Sequence, residues 1–176
     1  ELAKFAHIAE VVSHTGLGTV GGQFHGGLTI TKEPGYPFQV QQVKVPENVD
    51  IILASFGSIS TKAILTDPKY KDLIFRVGKK AMERMVQDYS LENYLDVCQF
   101  LLTETDILTK LKLDTLSALL TKVKSFPIIG AGMNQLGKSI FIFSQTENTP
   151  KIIHSLKSIK NLKMLKICQV EKKKIS

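Results

Sequence analysis

The sequence predicts an α+β protein, with helices packed on one face of a mostly antiparallel sheet. Three observations carry this expectation. Apolar residues recur at helical spacing through the middle of the chain, from Tyr70 to Val123. Runs with strand character lie on both sides of that stretch, around 27–57 and again from Ser139 onward. Strands and helices are mixed, yet no regular βαβ alternation and no internal repeat appears, which argues against a doubly wound parallel sheet.

The elements follow in order. Leu2, Phe5, Ala6, Ala9 and Val12 form an apolar helical stripe, so a first helix is expected at the start. The chain begins inside that pattern, without a cap, a signal peptide or Met, so it reads as a fragment whose beginning lies upstream. Gly27-Leu-Thr-Ile-Thr alternates as a strand, Glu33-Pro-Gly-Tyr-Pro turns the chain, and Phe38 to Val45 alternates again, giving a hairpin. Val49 to Ala54 is a continuous apolar run broken only by Asp50, as expected of an interior strand. Asp67-Pro68 is an N-cap followed by proline at the first helical position, and Tyr70, Leu73, Ile74, Val77, Ala81, Met82, Met85 and Val86 follow on one face. Ser90 caps a second helix and Leu113 to Val123 makes a third. Ser139-Ile-Phe-Ile-Phe reads as a strand, Pro150 to Ile159 as a helix, and Leu162 to Val170 as a strand.

Composition sets the class. A chain of 176 residues at 43% apolar can bury one core or two small ones. Its apolar runs are far shorter than the roughly 18 residues that span a bilayer, so no membrane association is expected. The net charge of +7 is confined to the end: residues 1–150 carry 15 basic and 15 acidic side chains, whereas 151–176 carry eight lysines against Glu171. A solvated terminal run explains this, and no RGG segment, RNP-like aromatic strand or zinc knuckle points to nucleic acid. Cys98 and Cys168 are far apart without C-x-x-C spacing, which fits a reducing compartment, and a cytoplasmic location is expected.

Residues 7–27 hold three of the four histidines and six of the twelve glycines. Glycine at this density lets backbone N–H groups approach an anion, because no Cβ intervenes and left-handed φ costs little. A glycine-rich connector with no ligand is the plain alternative. Gly16-Leu-Gly-Thr-Val-Gly21 matches the dinucleotide pattern G-x-G-x-x-G, but that site needs a strand before it, a helix after it and an acidic residue about 20 positions on. Gly132-Met-Asn-Gln-Leu-Gly-Lys-Ser139 matches the P-loop pattern, yet strand-forming Ile140-Phe-Ile-Phe143 follows where a helix should start. Both matches fail on context. His7, Glu10 and His14 share one helical face but lack the H-E-x-x-H spacing of a zinc site, so hydrogen-bonded histidines are expected.

Taken together, the two glycine clusters resemble the archaeal pantoate kinases of the GHMP small-molecule kinase superfamily. The resemblance runs through Ala6-His7-Ile8-Ala9-Glu10, Thr15-Gly-Leu-Gly-Thr-Val20, Gln23, Gly26-Gly27 and Pro34-Gly-Tyr-Pro37, then Phe56-Gly-Ser-Ile-Ser-Thr61 and Met133-Asn-Gln-Leu-Gly-Lys-Ser-Ile-Phe141. It implies a GHMP-like fold with a ferredoxin-like C-terminal part, residues 1–47 completing an N-terminal domain and 48–176 forming the C-terminal one. It implies ATP and Mg2+ as cofactors and a small hydroxy acid, pantoate, as the phosphoryl acceptor on the way to coenzyme A. Glu10 falls at the family's magnesium carboxylate; a surface Glu without a ligand is the alternative. Thr15, Gly16, Gly18, Gln23 and Lys32 fall in the substrate segment, and Gly130, Gly132 and Gly137 in the glycine motif that closes over phosphates. The family's N-terminal ATP loop has no counterpart here, so this chain alone is expected to be inactive. A homodimer is left open.

One departure stands out. The family's element reads T-G-L-G-D-V, with Asp as the proposed catalytic base, and this chain has Thr19 there. Thr cannot accept an alcohol proton at neutral pH. The Arg that commonly holds the substrate carboxylate is also missing, with Thr31 and Lys32 in that stretch. Two readings follow: phosphoryl transfer by metal and positioning with Thr19 in the base position, or a diverged, non-catalytic ligand-binding or regulatory module.

Overall fold

Two units divide the chain: Glu1–Val45 joined by the residues from Val170 on, and Pro46–Gln169. The computed structural model describes residues 1–13, 19–59, 68–134 and 137–171. The expected cap Asp67, the residues His14, Thr15, Gly16 and Gly18, and the terminal lysines from Lys172 lie outside the described residues.

In the first unit, Leu2–Val12 forms helix α1, Thr19–His25 helix α2, Leu28–Glu33 strand β1 and Gln39–Val43 strand β2. The expected hairpin forms: β1 and β2 pair antiparallel, Leu28 opposite Val43 and Ile30 opposite Gln41. Gly26 and Gly27 end α2 with φ of 65° and 75°, the left-handed stop that glycine provides without a Cβ penalty. Helix α2 itself was not expected, since two internal glycines disfavour a helix by about 1 kcal/mol each. Packing explains one of them, because a Cβ on Gly21 would stand 3.1 Å from Phe38 Cδ1.

Helix α1 forms where the stripe places it but faces the other way. Leu2, Phe5 and Val12 are 86%, 61% and 73% exposed, while Glu10 is buried and His7 half-buried. The stripe thus identifies the helix, and its apolar side is largely exposed.

The second unit contains strand β3 (Val49–Ser55), helices α3 (Pro68–Met85), α4 (Leu91–Thr105), α5 (Ile107–Lys110) and α6 (Asp114–Val123), strands β4 (Gly130–Met133) and β5 (Ser139–Gln145), helix α7 (Thr149–Lys157) and strand β6 (Met164–Cys168). The four strands pair antiparallel in the order β4-β5-β3-β6. Counted within the unit this is second, third, first, fourth, with helices in both long crossovers, which is the ferredoxin-like βαββαβ arrangement. The apolar run of β3 is interior, as expected, flanked by β5 and β6.

Alternation decides which side chains enter the core. Ile52 and Ala54 of β3, Ala131 of β4 and Ile140 and Ile142 of β5 point to one face and pack with Leu116, Leu119, Leu120 and Val123 of α6 and Ile152 and Leu156 of α7. On the other face Tyr94 of α4 stacks on Phe141 and meets Phe143 edge-on, at ring separations of 6.3 and 6.5 Å. The α4 start follows its sequence signal, with Asn93 N donating to the Ser90 hydroxyl at 3.2 Å. Strand β4 was not expected, its four residues including two glycines.

Candidate functional site

The first unit brings two of the sequence-derived site residues together. Glu10 sits on the inward side of α1 and retains only 7% exposure. Its Oε1 accepts the Thr19 backbone N–H at 3.2 Å and also a hydrogen bond from the Thr19 hydroxyl. Thr19 is the first residue of α2, so the carboxylate caps that helix from a neighbouring one, where negative charge is favourable. Glu10 Oε2 lies 3.7 Å from His7 Nδ1. A surface position for Glu10 is therefore corrected: the side chain is buried and engaged.

Aromatic packing fixes this corner. Phe38 receives His7, His25 and Tyr36 edge-on at ring separations of 5.2, 6.2 and 5.4 Å, with Phe24 tilted at 6.3 Å. His25 Nδ1 lies 2.9 Å from the Gly21 carbonyl oxygen. His7 and His25 pack edge-on against Phe38, and among the described residues no group of three His, Cys, Asp or Glu side chains gathers as a metal cage. The sequence did not single out Phe38, because its partners come from distant positions and no local spacing announces them.

The remaining residues are placed as follows. Gln23 is exposed on α2 and Lys32 exposed on β1. Gly130 and Gly132 lie in β4, and Gly137 donates its N–H to the Asn134 carbonyl at 3.2 Å, in the connection to β5. A Cβ on Gly130 would come within 2.8 Å of Leu95 Cδ1, and one on Gly132 within 2.5 Å of Phe141 Cζ. A Cβ at Gly132 would meet the Phe141 ring, and one at Gly130 would require the Leu95 side chain to shift. Lys138 and Ser139 lead into strand β5, so the P-loop pattern lacks its helix here too.

Cys98 is not set up as a nucleophile. Cys98 is half-buried on α4, and burial pushes its thiol from 9.0 up to about 11 despite the adjoining Tyr94 hydroxyl, which acts to lower it. It is therefore protonated at neutral pH.

A single buried carboxylate suits Mg2+ better than a transition metal, since Mg2+ is commonly held by one or two carboxylates together with substrate phosphates and water. Glu10 fits that role through its donor chemistry.

No protein-family model matches the chain. It is 30% identical to the pantoate kinase of Methanocaldococcus jannaschii over 156 residues, which cover 89% of this chain and 56% of that relative. The chain is similar to archaeal pantoate kinases. The pantoate kinase of Thermococcus kodakarensis is 29% identical over 150 residues, 85% of this chain and 48% of the relative. The chain thus spans about half the length of these pantoate kinases. Among solved structures, a phosphotransferase related to the CoA biosynthesis pathway superposes with a TM-score of 0.83 at 23% identity, covering 98% of this chain and 55% of its own. Homoserine kinase from Cytophaga hutchinsonii superposes at 0.62 with 15% identity, over 98% and 58%. At these identities the two superpositions speak for a shared fold alone.

Proposed function

We propose that this chain is the C-terminal portion of an ATP- and Mg2+-dependent small-molecule kinase that phosphorylates the hydroxyl of pantoate, in coenzyme A synthesis. The observation that carries the reading is the pantoate-kinase similarity across 89% of the chain. Residues 1–47 would complete the N-terminal domain and 48–176 form the C-terminal one. In the transfer, the acceptor hydroxyl oxygen bonds to the γ-phosphorus, the bond from that phosphorus to the β–γ bridging oxygen breaks, ADP leaves, and the hydroxyl proton passes to solvent or to a group outside this chain. Bound Mg2+ would neutralise charge on the phosphate oxygens.

Positioning is what this chain's residues contribute. Glu10 would supply the metal's carboxylate, oriented by the Thr19 N–H and hydroxyl. Thr19 stands in the base position without being a base; its hydroxyl donates to Glu10. Thr15, Gly16, Gly18, Gln23 and Lys32 would contact the hydroxy acid, with the Lys32 ammonium in place of the missing Arg. Gly137 would lie near phosphate, together with Gly130 and Gly132, whose first duty is packing.

The test is ADP release by the full-length gene product, assayed with a panel of hydroxy acids. Pantoate-stimulated turnover is expected, and its absence across the panel overturns the reading. A second reading rests on the Thr19 hydroxyl: a chain lacking the base could keep ligand recognition and lose chemistry. Binding of pantoate without turnover, with activity gained in Thr19→Asp, would favour that reading.

A further inference from the structure

Two phenylalanines on α3 and α4 differ in their cover. The Arg84 guanidinium lies over the Phe100 ring, 3.7 Å from its centroid, so that ring is closed over by its own chain. Phe75 of α3 is 74% exposed. It does not stand alone: Gly78, the half-buried Met82 and the exposed Val86 follow it at steps of three and four residues, which is one helical face. The helical turn reaches Val86, whose N–H donates to the Met82 carbonyl at 3.0 Å. Glycine inside a helix is unfavourable relative to alanine, and a Cβ at Gly78 would meet nothing within 4 Å, so no neighbour in the chain requires glycine there. It leaves an open recess between Phe75 and Met82. A contiguous apolar row of this kind marks a contact surface.

The charges beside the row say what covers it. Along one flank run Asp72, Arg76, Lys79 and Glu83, all exposed, again at steps of four and three. Among the described residues, none of Arg76, Lys79 and Glu83 makes an ion pair on its own chain. An antiparallel helix pair related by a two-fold axis sets this flank against itself in reverse order. With the axis midway between Phe75 and Val86, Phe75 of each copy faces Val86 of the other. In the same register Glu83 faces Lys79 and Arg76 of the other copy, within about 3 Å along the helix axis. Every contact occurs twice, apolar against apolar and acid against base. An axis about three residues nearer the N-terminus would set Glu83 against Asp72 and Arg76 against Lys79, so like charges exclude that register. A pair of 18-residue helices, each about 27 Å long, closes on the order of 1,000 Å² in total, the lower bound for a specific interface.

We propose that α3 is the surface through which two copies of this chain pair, antiparallel and two-fold symmetric, with Phe75 of each copy against Val86 of the other. The proposal is independent of the kinase reading, since association is measured without substrate.

The test is sedimentation velocity of the full-length gene product from about 1 to about 100 μM in physiological salt, where a dimer dissociating in the micromolar range is expected. Glu83→Lys, and Arg76→Glu combined with Lys79→Glu, each turn the ion pairs into like-charge contacts. Each is expected to weaken the dimer at least about tenfold. An equimolar mixture of the two variants restores opposite charges at both ends of the interface. Dimers of wild-type affinity should return in it, which also shows that both variants are folded. Lys151→Glu, exposed on α7, should leave the affinity within about twofold of wild type. The proposal is overturned if the wild type stays monomeric throughout, the outcome expected where another part of a longer polypeptide covers α3. It is equally overturned if the charge variants dimerise as tightly as wild type, or if their mixture stays monomeric.

Discussion

Helices α1 and α6 carry equally clear apolar stripes and use them in opposite ways. On α6, Leu116, Leu119, Leu120 and Val123 are all buried against the sheet. On α1, Leu2, Phe5 and Val12 face outward, and the inward side presents His7 and Glu10 to α2 and Phe38. A stripe says which side of a helix is apolar, and the partner elements decide whether that side is covered. The second unit is held by aliphatic burial. The first is held by a carboxylate cap and an aromatic cluster, so the two should answer differently to the same kind of substitution.

The largest effect belongs to the aliphatic side. Leu116 is 1% exposed within the cluster joining β3, β5, α6 and α7. Leu116→Ala removes buried methyl groups and leaves a cavity, and a loss of about 3 kcal/mol is expected in urea unfolding. A loss under 1 kcal/mol would mean that α6 is no better anchored than α1, and the contrast would fail.

Gly132→Ala comes next, at about 2 kcal/mol, because the new methyl would enter the Phe141 ring. Phe141 is buried beneath Tyr94, which limits its escape. Restored stability in the double variant with Phe141→Leu would show that the cost is this contact. No measurable loss would return Gly132 to a purely ligand-related explanation.

These two positions also show what the sequence could and could not reveal. Strand β3 was legible because both its edges are paired and its Ile52 and Ala54 face is buried in the core, with the alternate residues half-buried, which favours an apolar run. The α4 start was legible because Ser90 caps it locally. Strand β4 was not: it has glycine where neighbours normally have side chains, and Leu95 and Phe141 fill that space from other elements. Helix α2 was hidden for a similar reason, its N-terminus being satisfied by Glu10, nine positions earlier on another helix. At the candidate site, the sequence identified Glu10 and Thr19 through resemblance, and their hydrogen bond emerged only from the fold.

A smaller effect is expected in the first unit. Thr19→Val keeps the shape and the backbone N–H but removes the hydroxyl donor to Glu10. A hydrogen bond to a carboxylate is worth about 1.5 kcal/mol, and a loss of that order is expected, with Thr19→Ser recovering most of it. Failure of Ser to recover would assign the effect to packing and leave the carboxylate cap without energetic weight.

The smallest effect is the sharpest test of the comparison. Phe5 is 61% exposed on α1, so Phe5→Ser removes little buried surface in this chain and should change unfolding free energy by no more than about 0.5 kcal/mol. The same substitution shrinks an exposed apolar stripe that includes Leu2 and Val12, so it should reduce concentration-dependent association in sedimentation velocity. The two readouts separate the two roles a stripe can have. A stability loss approaching that of Leu116→Ala would show that the α1 stripe is buried in solution, and the contrast with α6 would collapse. Unchanged stability with weaker self-association would establish an apolar face directed outward, with Glu10 held by the side turned in.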